Sequence, residues 1–589
     1  MKHTNKISLK VFWETVEQRL AACSVDELCA ILRAMAQETS PSGRRVFLSK
    51  LDPSGGVLTA SQAVRQEDLL DDIDDLAQEL EDVMQHAAPP EDRYEWGEYY
   101  DDEDDLGPYE DFVESLVGLF DRAEAAFDYG DLSLARAAYE RLFESLRAED
   151  EYGRGVGVSD LTGVDAGEAI ARYLRAVYEA EPLSRRPQAL CGEMRQMQQV
   201  RTLLYGPRPM LDDLVQISPR PLPDREQFLP DWIAFLRTQD APSGGDVDAW
   251  LREAVRLFQG TPGLEALARA EGQTRPRAYL DWFTALEEEG KHQDVLAAAQ
   301  EALQVLPDRL PIRAAIADHL CAAAARLNEA QALSLGRWEA FAAKPTLLRM
   351  LDLWDVAADA AKRTALMQRA VEHLRDCQAR PFARRVGMMR GDDGLERSVQ
   401  VGKSVLAHAY LLAGDWTAAH HLAAQGKVLG WSSNQSHQGL VVVALLVLLS
   451  GKPLQAVTPN LTQVWQWGVQ HSAGVWGGEY GKEDPVYKRL VRAYTEQFAV
   501  AELSDDRQER LLLWCLNVAQ QRVNAIVGNQ YRKSYIKAAV LTVACAETLR
   551  LRGNQAAADT LVSDVRGRFP RHRAFQAQMK SALQRMGRG

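Results

Sequence analysis

Apolar residues recur at helical spacing along most of the chain. In residues 69–84 they follow one another at intervals of four, three, four and three residues, at Leu69, Ile73, Leu76, Leu80 and Val83. This spacing predicts an acidic helix with one narrow apolar stripe, which a second helix of the same chain should cover.

Almost no segment alternates between apolar and polar residues with the period of two that strands require. The longest apolar run, residues 440–449, spans ten residues, about half of the roughly 20 that a membrane span needs. It predicts a fully buried helix, and we expect no membrane segment. The pattern as a whole predicts an all-α fold, an α-solenoid of stacked antiparallel helix pairs with an acidic inserted loop.

Four segments place small residues at equal distances from a turn glycine. Alanine lies seven residues before and five residues after three of these glycines. The fourth segment, around Gly290, is looser, because Val295 takes the place of the second alanine. Pro307 and Pro570 follow Gly290 and Gly553 at the same distance. The four glycines are Gly130, Gly290, Gly414 and Gly553.

These segments resemble the tetratricopeptide repeat family, whose unit is a helix pair of about 34 residues with small residues where the helices touch. Four such units cover about 140 of the 589 residues. The resemblance implies a right-handed superhelix whose concave face holds peptides or other proteins. The family's clamp for a terminal carboxylate has no assignable positions here. The chain also looks like bacterial helical proteins that can carry a SWIM-type zinc finger, but it has no Cys-x-Cys pair.

Clusters of turn-forming residues predict the domain borders. They divide the chain into an N-terminal helical region (1–86), an acidic aromatic loop (87–111), a helical repeat region (112–205), a proline-bearing linker (206–227), a central repeat region (228–383), an exposed loop (384–398) and a C-terminal tetratricopeptide-like region (399–589).

The net charge of −15 is concentrated in one block. Residues 66–112 contain 20 acidic residues and one arginine, so the rest of the chain sums to +4. Residues 566–589 contain seven Lys or Arg and no acid. Phe569 and Phe575 lie in this basic stretch, but no further basic stripe accompanies it, and the sequence does not favour direct nucleic-acid binding.

The acidic block includes aromatic side chains that solvated acidic linkers usually lack. Two interpretations stay open for residues 91–111, a solvated connector and an element that docks in a basic groove of this chain or of another protein. The candidate partner-binding residues are Tyr94, Trp96, Tyr99, Tyr100, Asp101, Asp102 and Tyr109, with Trp416 on the Gly414 repeat and Arg571 and Arg573 in the basic stretch.

Candidate chemistry is sparse. The glycines of residues 153–157 lack the context of a phosphate loop and predict a connector. Residues 474–484 also predict a connector, although Trp467 and Trp476 beside them could form a stacking surface. A cysteine–histidine site would pair Cys515 or Cys545 with His437 or His471. No metal or cofactor site is expected, since His373–Cys377 and His420–His421 offer too few ligands.

The composition, 46% hydrophobic and 26% charged, is that of an ordinary folded protein. Seven scattered cysteines and a charged N-terminal stretch favour the reducing cytoplasm over secretion, and the resemblance to bacterial helical proteins implies a bacterial source. We expect a non-enzymatic scaffold that binds other proteins or peptides. The alternatives are a regulated protease substrate or effector subunit of a bacterial defence or signalling system, cut in residues 384–398, and a hydrolase with a Cys/His site.

Overall fold

The structure is a computed structural model that describes residues 18–19, 22–24, 61–87, 107–157, 160–204, 208–239, 244–308, 310–379, 401–432, 436–473 and 484–586. These residues form 23 α-helices and no strand, which confirms the predicted all-α solenoid. They fall into two compact units, residues 1–264 and 265–589. Each unit is described separately below.

The N-terminal unit contains seven helices and the beginning of an eighth. They are α1 (Ser61–Gln85), α2 (Glu110–Tyr129), α3 (Leu132–Ser145), α4 (Ala166–Ala180), α5 (Arg186–Leu204), α6 (Leu211–Gln216), α7 (Arg225–Thr238) and α8 (Asp246–Glu271). Helix α8 is interrupted at Gly260, where φ is 62° and ψ is −154°. The border between the two units follows this break by a few residues.

Helix α1 carries the predicted apolar stripe. Leu69, Ile73 and Leu80 are buried because α2 and α3 pack against this face. On the acidic side, Arg122 of α2 pairs with Asp72 at 2.5 Å, and Arg141 of α3 pairs with Asp74 at 2.5 Å. The stripe is therefore covered by helices of the same chain, as predicted.

The segment predicted as a proline-bearing linker is packed, in its described part, against α4. The buried guanidinium of Arg175 donates to the carbonyl oxygen of Leu214 at 2.7 Å and to those of Arg220 and Pro221 at 3.0 Å. Tyr178 donates to the carbonyl oxygen of Pro223 at 2.7 Å. Carbonyls near the end of a helix and in the irregular segment that follows need donors from elsewhere in the chain, and the side chains of α4 supply them here.

The C-terminal unit contains the end of α8 and fifteen further helices. They are α9 (Arg277–Glu288), α10 (His292–Val305), α11 (Arg313–Leu327), α12 (Ala330–Ala343), α13 (Leu347–Val356), α14 (Ala360–Ala379), α15 (Lys403–Leu412), α16 (Trp416–Ala424), α17 (His437–Leu449), α18 (Pro459–Ala473), α19 (Pro485–Ala499), α20 (Asp505–Gly528), α21 (Tyr535–Leu551), α22 (Gln555–Arg568) and α23 (Arg573–Met586).

From α9 to α18 each helix packs against the next one in the chain. The four predicted turn glycines each join two antiparallel helices and have φ between 73° and 88°. The alanines at the predicted distances are buried between the helices, at Ala123, Ala135, Ala407, Ala419, Ala546 and Ala558. Small residues at these positions let the two backbones approach closely, as the spacing predicts.

Helix α17 is buried on all sides. Residues 440–447 are at most 2% exposed, because α16, α18, α20 and α21 surround the helix. The predicted buried helix is thus confirmed. Within the described residues, no helix has the length and apolar character needed to cross a membrane.

Helix α18 is fixed at its start by a carboxylate from α21. Glu547 accepts hydrogen bonds from the side-chain amide of Asn460 at 2.7 Å and from the backbone amide of Leu461 at 2.9 Å. A negative charge is favourable at a helix N-terminus because the unsatisfied amides carry partial positive charge. This contact sets the position of the helix that forms one wall of the site described next.

Candidate ligand-binding pocket

A small pocket lies between α17, α18, α20 and α21, all in the C-terminal unit. Its cavity volume is about 30 Å³, against the roughly 10–15 Å³ that one water molecule needs. We call it the Arg522 pocket. It is lined by Trp431, Ser432, Gly439, Val443, Val464, Trp467, Gly468, His471, Arg522, Lys537 and Leu541.

One wall of the pocket is the ring of Trp431, just before α17. Its indole N–H donates to the carbonyl oxygen of Lys427 at 3.2 Å and to the side chain of Gln438 at 3.3 Å. Gln438 in turn donates to the carbonyl oxygen of Ala423 at 3.0 Å. The ring lies against Gly439, where a Cβ would come within 2.9 Å of it. Glycine is therefore required for this wall to form.

The guanidinium of Arg522, from α20, stacks on this wall. Its central carbon lies 4.3 Å from the centre of the Trp431 ring, which is a cation–π contact. The side chain is only 5% exposed. Nη1 donates to the carbonyl oxygen of Val428 at 2.6 Å. In the described part of the chain no carboxylate pairs with this buried cation.

Two further nitrogen groups face the same space. The ammonium of Lys537, from α21, donates to the hydroxyl of Ser432 at 2.5 Å. The imidazole of His471, from α18, is half-buried and has no hydrogen bond to a described residue. The pocket thus brings together an arginine, a lysine and a histidine from three helices.

Burial shifts the pKa of each group downward, and repulsion by neighbouring cations adds to the shift of Lys537 and His471. Burial lowers the pKa of Arg522 to about 10. The pKa of Lys537 is lowered by burial and by the positive charge of Arg522. Burial, followed by the charges of Lys537 and Arg522, lowers the pKa of His471. The shifts of Lys537 and His471 reflect burial and also the neighbouring positive charges, and no described carboxylate offsets them.

The sequence pointed to two of these residues for other reasons. Trp467 was a candidate stacking residue and His471 a candidate partner of a catalytic cysteine, while Trp476 lies outside the described residues. Arg522 and Lys537 were missed. The available signal is that Arg522 stands four residues after Val518 and four before Ile526, in an otherwise apolar stripe, where a charged residue is uncommon.

Two predicted partner-binding residues are not accessible. Tyr109 is 0% exposed and donates to the carboxylate of Asp150 at 2.9 Å. Trp416 is 3% exposed, since it begins α16 and packs against Phe498. Neither ring can anchor a partner on the surface, and this corrects the two assignments. In both cases the ring completes the contact between neighbouring helices.

The other predicted partner-binding residues fall into two groups. Arg571 and Arg573 are exposed beside α23, and neither forms an ion pair with a described residue. The acidic aromatic residues before Gly107 lie outside the described part of the chain, as does the predicted loop 384–398. The candidate residues of the acidic segment that lie outside the described part of the chain are Tyr94, Trp96, Tyr99, Tyr100, Asp101 and Asp102.

The glycines of residues 153–157 belong to a connector. Asp150 accepts hydrogen bonds from the backbone amides of Tyr152 and Arg154, both at 2.9 Å, and Gly153 takes a φ of 76° to allow this turn. A Cβ on Gly155 would overlap the carbonyl oxygen of Ala148. The loop folds around its own carboxylate, as expected for a structural connector.

The cysteines considered for catalysis are buried thiols. Cys515 donates to the carbonyl oxygen of Val442 at 3.8 Å, and burial raises its pKa well above the ordinary value. Burial raises the pKa of Cys545 to about 12. These environments favour packing, because the thiolate is the reactive form.

Neither a protein-family model nor a curated protein matches this sequence. The resemblance to the tetratricopeptide repeat therefore rests on the spacing of residues alone, and membership of that family stays a prediction. A function has to be argued from the pocket and from the packing of the helices.

Proposed function

We propose that this chain is a non-enzymatic interaction scaffold of the bacterial cytoplasm. It binds partner proteins or peptides on the helical-repeat surface of the C-terminal unit, and residues 91–111 act as a second docking or regulatory element. The observation that carries the proposal is the Arg522 pocket. It combines tryptophan rings with a buried arginine that no described carboxylate neutralises, and these residue types dominate the binding energy of protein interfaces.

The packing of the helices supports the same function. Successive helix pairs in a solenoid bury one face against their neighbours and leave the other available, which gives an extended surface for a partner. The pocket provides a fixed point on this surface. Its walls are held by hydrogen bonds to the backbone, as at Trp431 and Arg522, so little conformational entropy is lost when a partner binds.

Affinity purification from the native host tests the proposal. We would compare the intact chain with a variant in which residues 91–111 become a Gly/Ser linker, and with Lys537→Gln in the pocket. Lys533→Gln is the matched control, because Lys533 is exposed and lies one helical turn from Lys537. All variants should have the circular dichroism spectrum of the intact chain.

We expect a partner that is recovered with the intact chain and with Lys533→Gln, and that is depleted with Lys537→Gln. Depletion with the linker variant as well would show that residues 91–111 contribute. Recovery of the same partners from all four chains contradicts the proposed role of the pocket. A discrete fragment ending near residue 390 in place of a stable complex would favour a protease substrate instead.

A further inference from the structure

The Arg522 pocket holds more positive charge than the described chain neutralises. Arg522 is 5% exposed, and among the described residues its hydrogen-bond partner is a backbone carbonyl. Lys537 has a neutral hydroxyl as its partner. Taking charges out of water costs several kcal/mol for each ion unless a counter-charge is nearby. An anion in the cavity would remove this cost.

The size of the cavity limits the anion. A volume of about 30 Å³ accommodates two or three water-sized groups, at roughly 10–15 Å³ for each. The oxygens of one oxyanion fit this space, whereas a base and a sugar do not. A larger ligand must leave its organic part outside the cavity.

The number of cationic groups limits its charge. Arg522 and Lys537 are two cations, and His471 can become a third by taking up a proton. A carboxylate offers one negative charge, whereas a phosphate monoester carries about −1.5 to −2 at pH 7. The guanidinium of Arg522 also presents adjacent N–H groups that match two oxygens of one phosphoryl group.

We infer that the Arg522 pocket binds the phosphoryl group of a phosphate monoester, held by Arg522, Lys537 and His471. The inference rests on the proposed role of the pocket in recognition and names the chemical group that it recognises. The ester is either a phosphorylated side chain of a partner peptide or a small phosphorylated molecule. Both sources present the same dianion to the same three side chains.

Binding should be coupled to protonation of His471. The charged groups that act on this imidazole are Lys537 of α21 and Arg522 of α20, while Gly439 and Val443 of α17 carry no charge. Burial and, after it, the two cations lower the pKa of His471. A bound dianion reverses this effect, so the protein takes up a proton when the ligand binds.

Isothermal titration calorimetry on the full chain tests the inference with phenyl phosphate and benzoate. The two probes share a flat ring and differ in the charge of the oxyanion. We expect phenyl phosphate to bind at least about tenfold more tightly than benzoate, because the phosphoryl group has more negative charge and one more acceptor oxygen than the carboxylate, and each hydrogen bond to a charged group adds affinity. Equal affinity for the two, or binding of neither, overturns the inference.

Variants of the pocket locate the binding site. Lys537→Gln should weaken phenyl phosphate binding by about 10-fold or more, and Lys533→Gln should leave it within about twofold. His471→Gln should abolish the proton uptake that is measured by titration in buffers of different ionisation enthalpy. Arg522→Lys keeps the positive charge but removes the adjacent N–H groups of the guanidinium. It should also weaken binding, provided that its circular dichroism spectrum is native. If neither Lys537→Gln nor His471→Gln changes the affinity for phenyl phosphate, the assignment is overturned.

Phosphorylated peptides distinguish the two sources. A pooled peptide library with a central phosphorylated residue, compared with its unphosphorylated twin, should bind more tightly than phenyl phosphate if the natural ligand is a partner protein. If phenyl phosphate and the phosphorylated pool bind equally, the source is a small phosphate ester. Either result supports the phosphoryl group as ligand, whereas equal binding of the phosphorylated and unphosphorylated pools contradicts it.

The calorimetry and the affinity purification can contradict the two proposals separately. If no phosphate probe binds but Lys537→Gln still loses a partner, the phosphoryl assignment is wrong and the scaffold function stands. If phenyl phosphate binds through Lys537 but no partner depends on that residue, the phosphoryl site stands and the scaffold function at this pocket is wrong.

Discussion

At the scale of single residues, the C-terminal unit contains a buried histidine that has no ionic partner among the described residues. His408 is 0% exposed and lies between the hydroxyl of Tyr494, 2.8 Å from Nδ1, and that of Ser472, 3.0 Å from Nε2. Both neighbours are neutral. Burial lowers the pKa of His408 from 6.5 to about 3. The fold therefore accepts only the neutral imidazole.

This predicts a pH-dependent stability with a defined sign. Because the folded pKa is lower than the unfolded one, the contribution is complete above pH 6.5 and is lost as the pH falls towards 3. The loss should be about 1.4 kcal/mol for each pH unit. Urea unfolding between pH 7 and pH 4 measures the slope. His408→Gln should reduce it, whereas a change at the exposed His421 to glutamine should not; equal slopes for both variants would contradict the prediction.

Single residues also show where sequence reasoning fails. Tyr109 and Trp416 stand beside polar residues and glycines, so their surroundings in the sequence resemble those of surface aromatics. Their burial depends on Asp150 and Phe498, which lie 41 and 82 positions further along the chain. The opposite error occurred at Arg522, which is buried although a charged side chain is expected at the surface. The apolar residues one turn before and after it in the sequence indicate the interior.

At the scale of helices and turns, the turn glycines allow a direct test of backbone conformation. Gly553 has a φ of 81°, and a Cβ there would meet no atom within 4 Å. Gly553→Ala should therefore cost only the left-handed backbone strain, about 1–2 kcal/mol. Chemical denaturation of the variant measures this loss as a lower free energy of unfolding.

Gly567 is the matched control for this change. It lies in α22, near the end of the same helix pair, and a Cβ there also meets nothing within 4 Å. Its backbone is helical, so Gly567→Ala should stabilise the protein by up to about 1 kcal/mol. A similar effect of both substitutions would show that the conformation of Gly553 does not decide the cost.

Helices and turns could be predicted because their signals are local. The stripe on α1, the buried run of α17 and the four turn glycines are each defined within a few dozen residues. The Arg522 pocket could not, because its walls come from residues 431 to 541 and meet only when four helices pack together. Helical spacing establishes that α18 and α20 exist, but it does not state which helices they contact.

At the scale of the whole molecule, the chain is divided into two units, each with buried residues of its own. The division follows the break in α8, where Gly260 leaves the helical conformation. A unit with its own hydrophobic core is expected to fold alone. We predict that a fragment of residues 261–589 is helical and unfolds cooperatively.

Circular dichroism on this fragment checks the prediction. A single sharp thermal transition is expected, with retention of the phenyl phosphate affinity of the full chain. A fragment that is helical but melts gradually would show that the core of residues 265–589 depends on the N-terminal unit. Residues 1–260 provide the complementary fragment.

The burial of α17 on every side has a consequence for the growing chain. Residues 440–447 are apolar all round, and two of the helices that enclose them, α20 and α21, end at Gly528 and Leu551. The ribosome reaches Leu551 about 100 residues after Leu449, which at roughly 5–20 residues per second takes about 5 to 20 s. During this interval the most hydrophobic of the described helices is made but not enclosed, so its apolar surface is open to aggregation while the rest of the chain is synthesised.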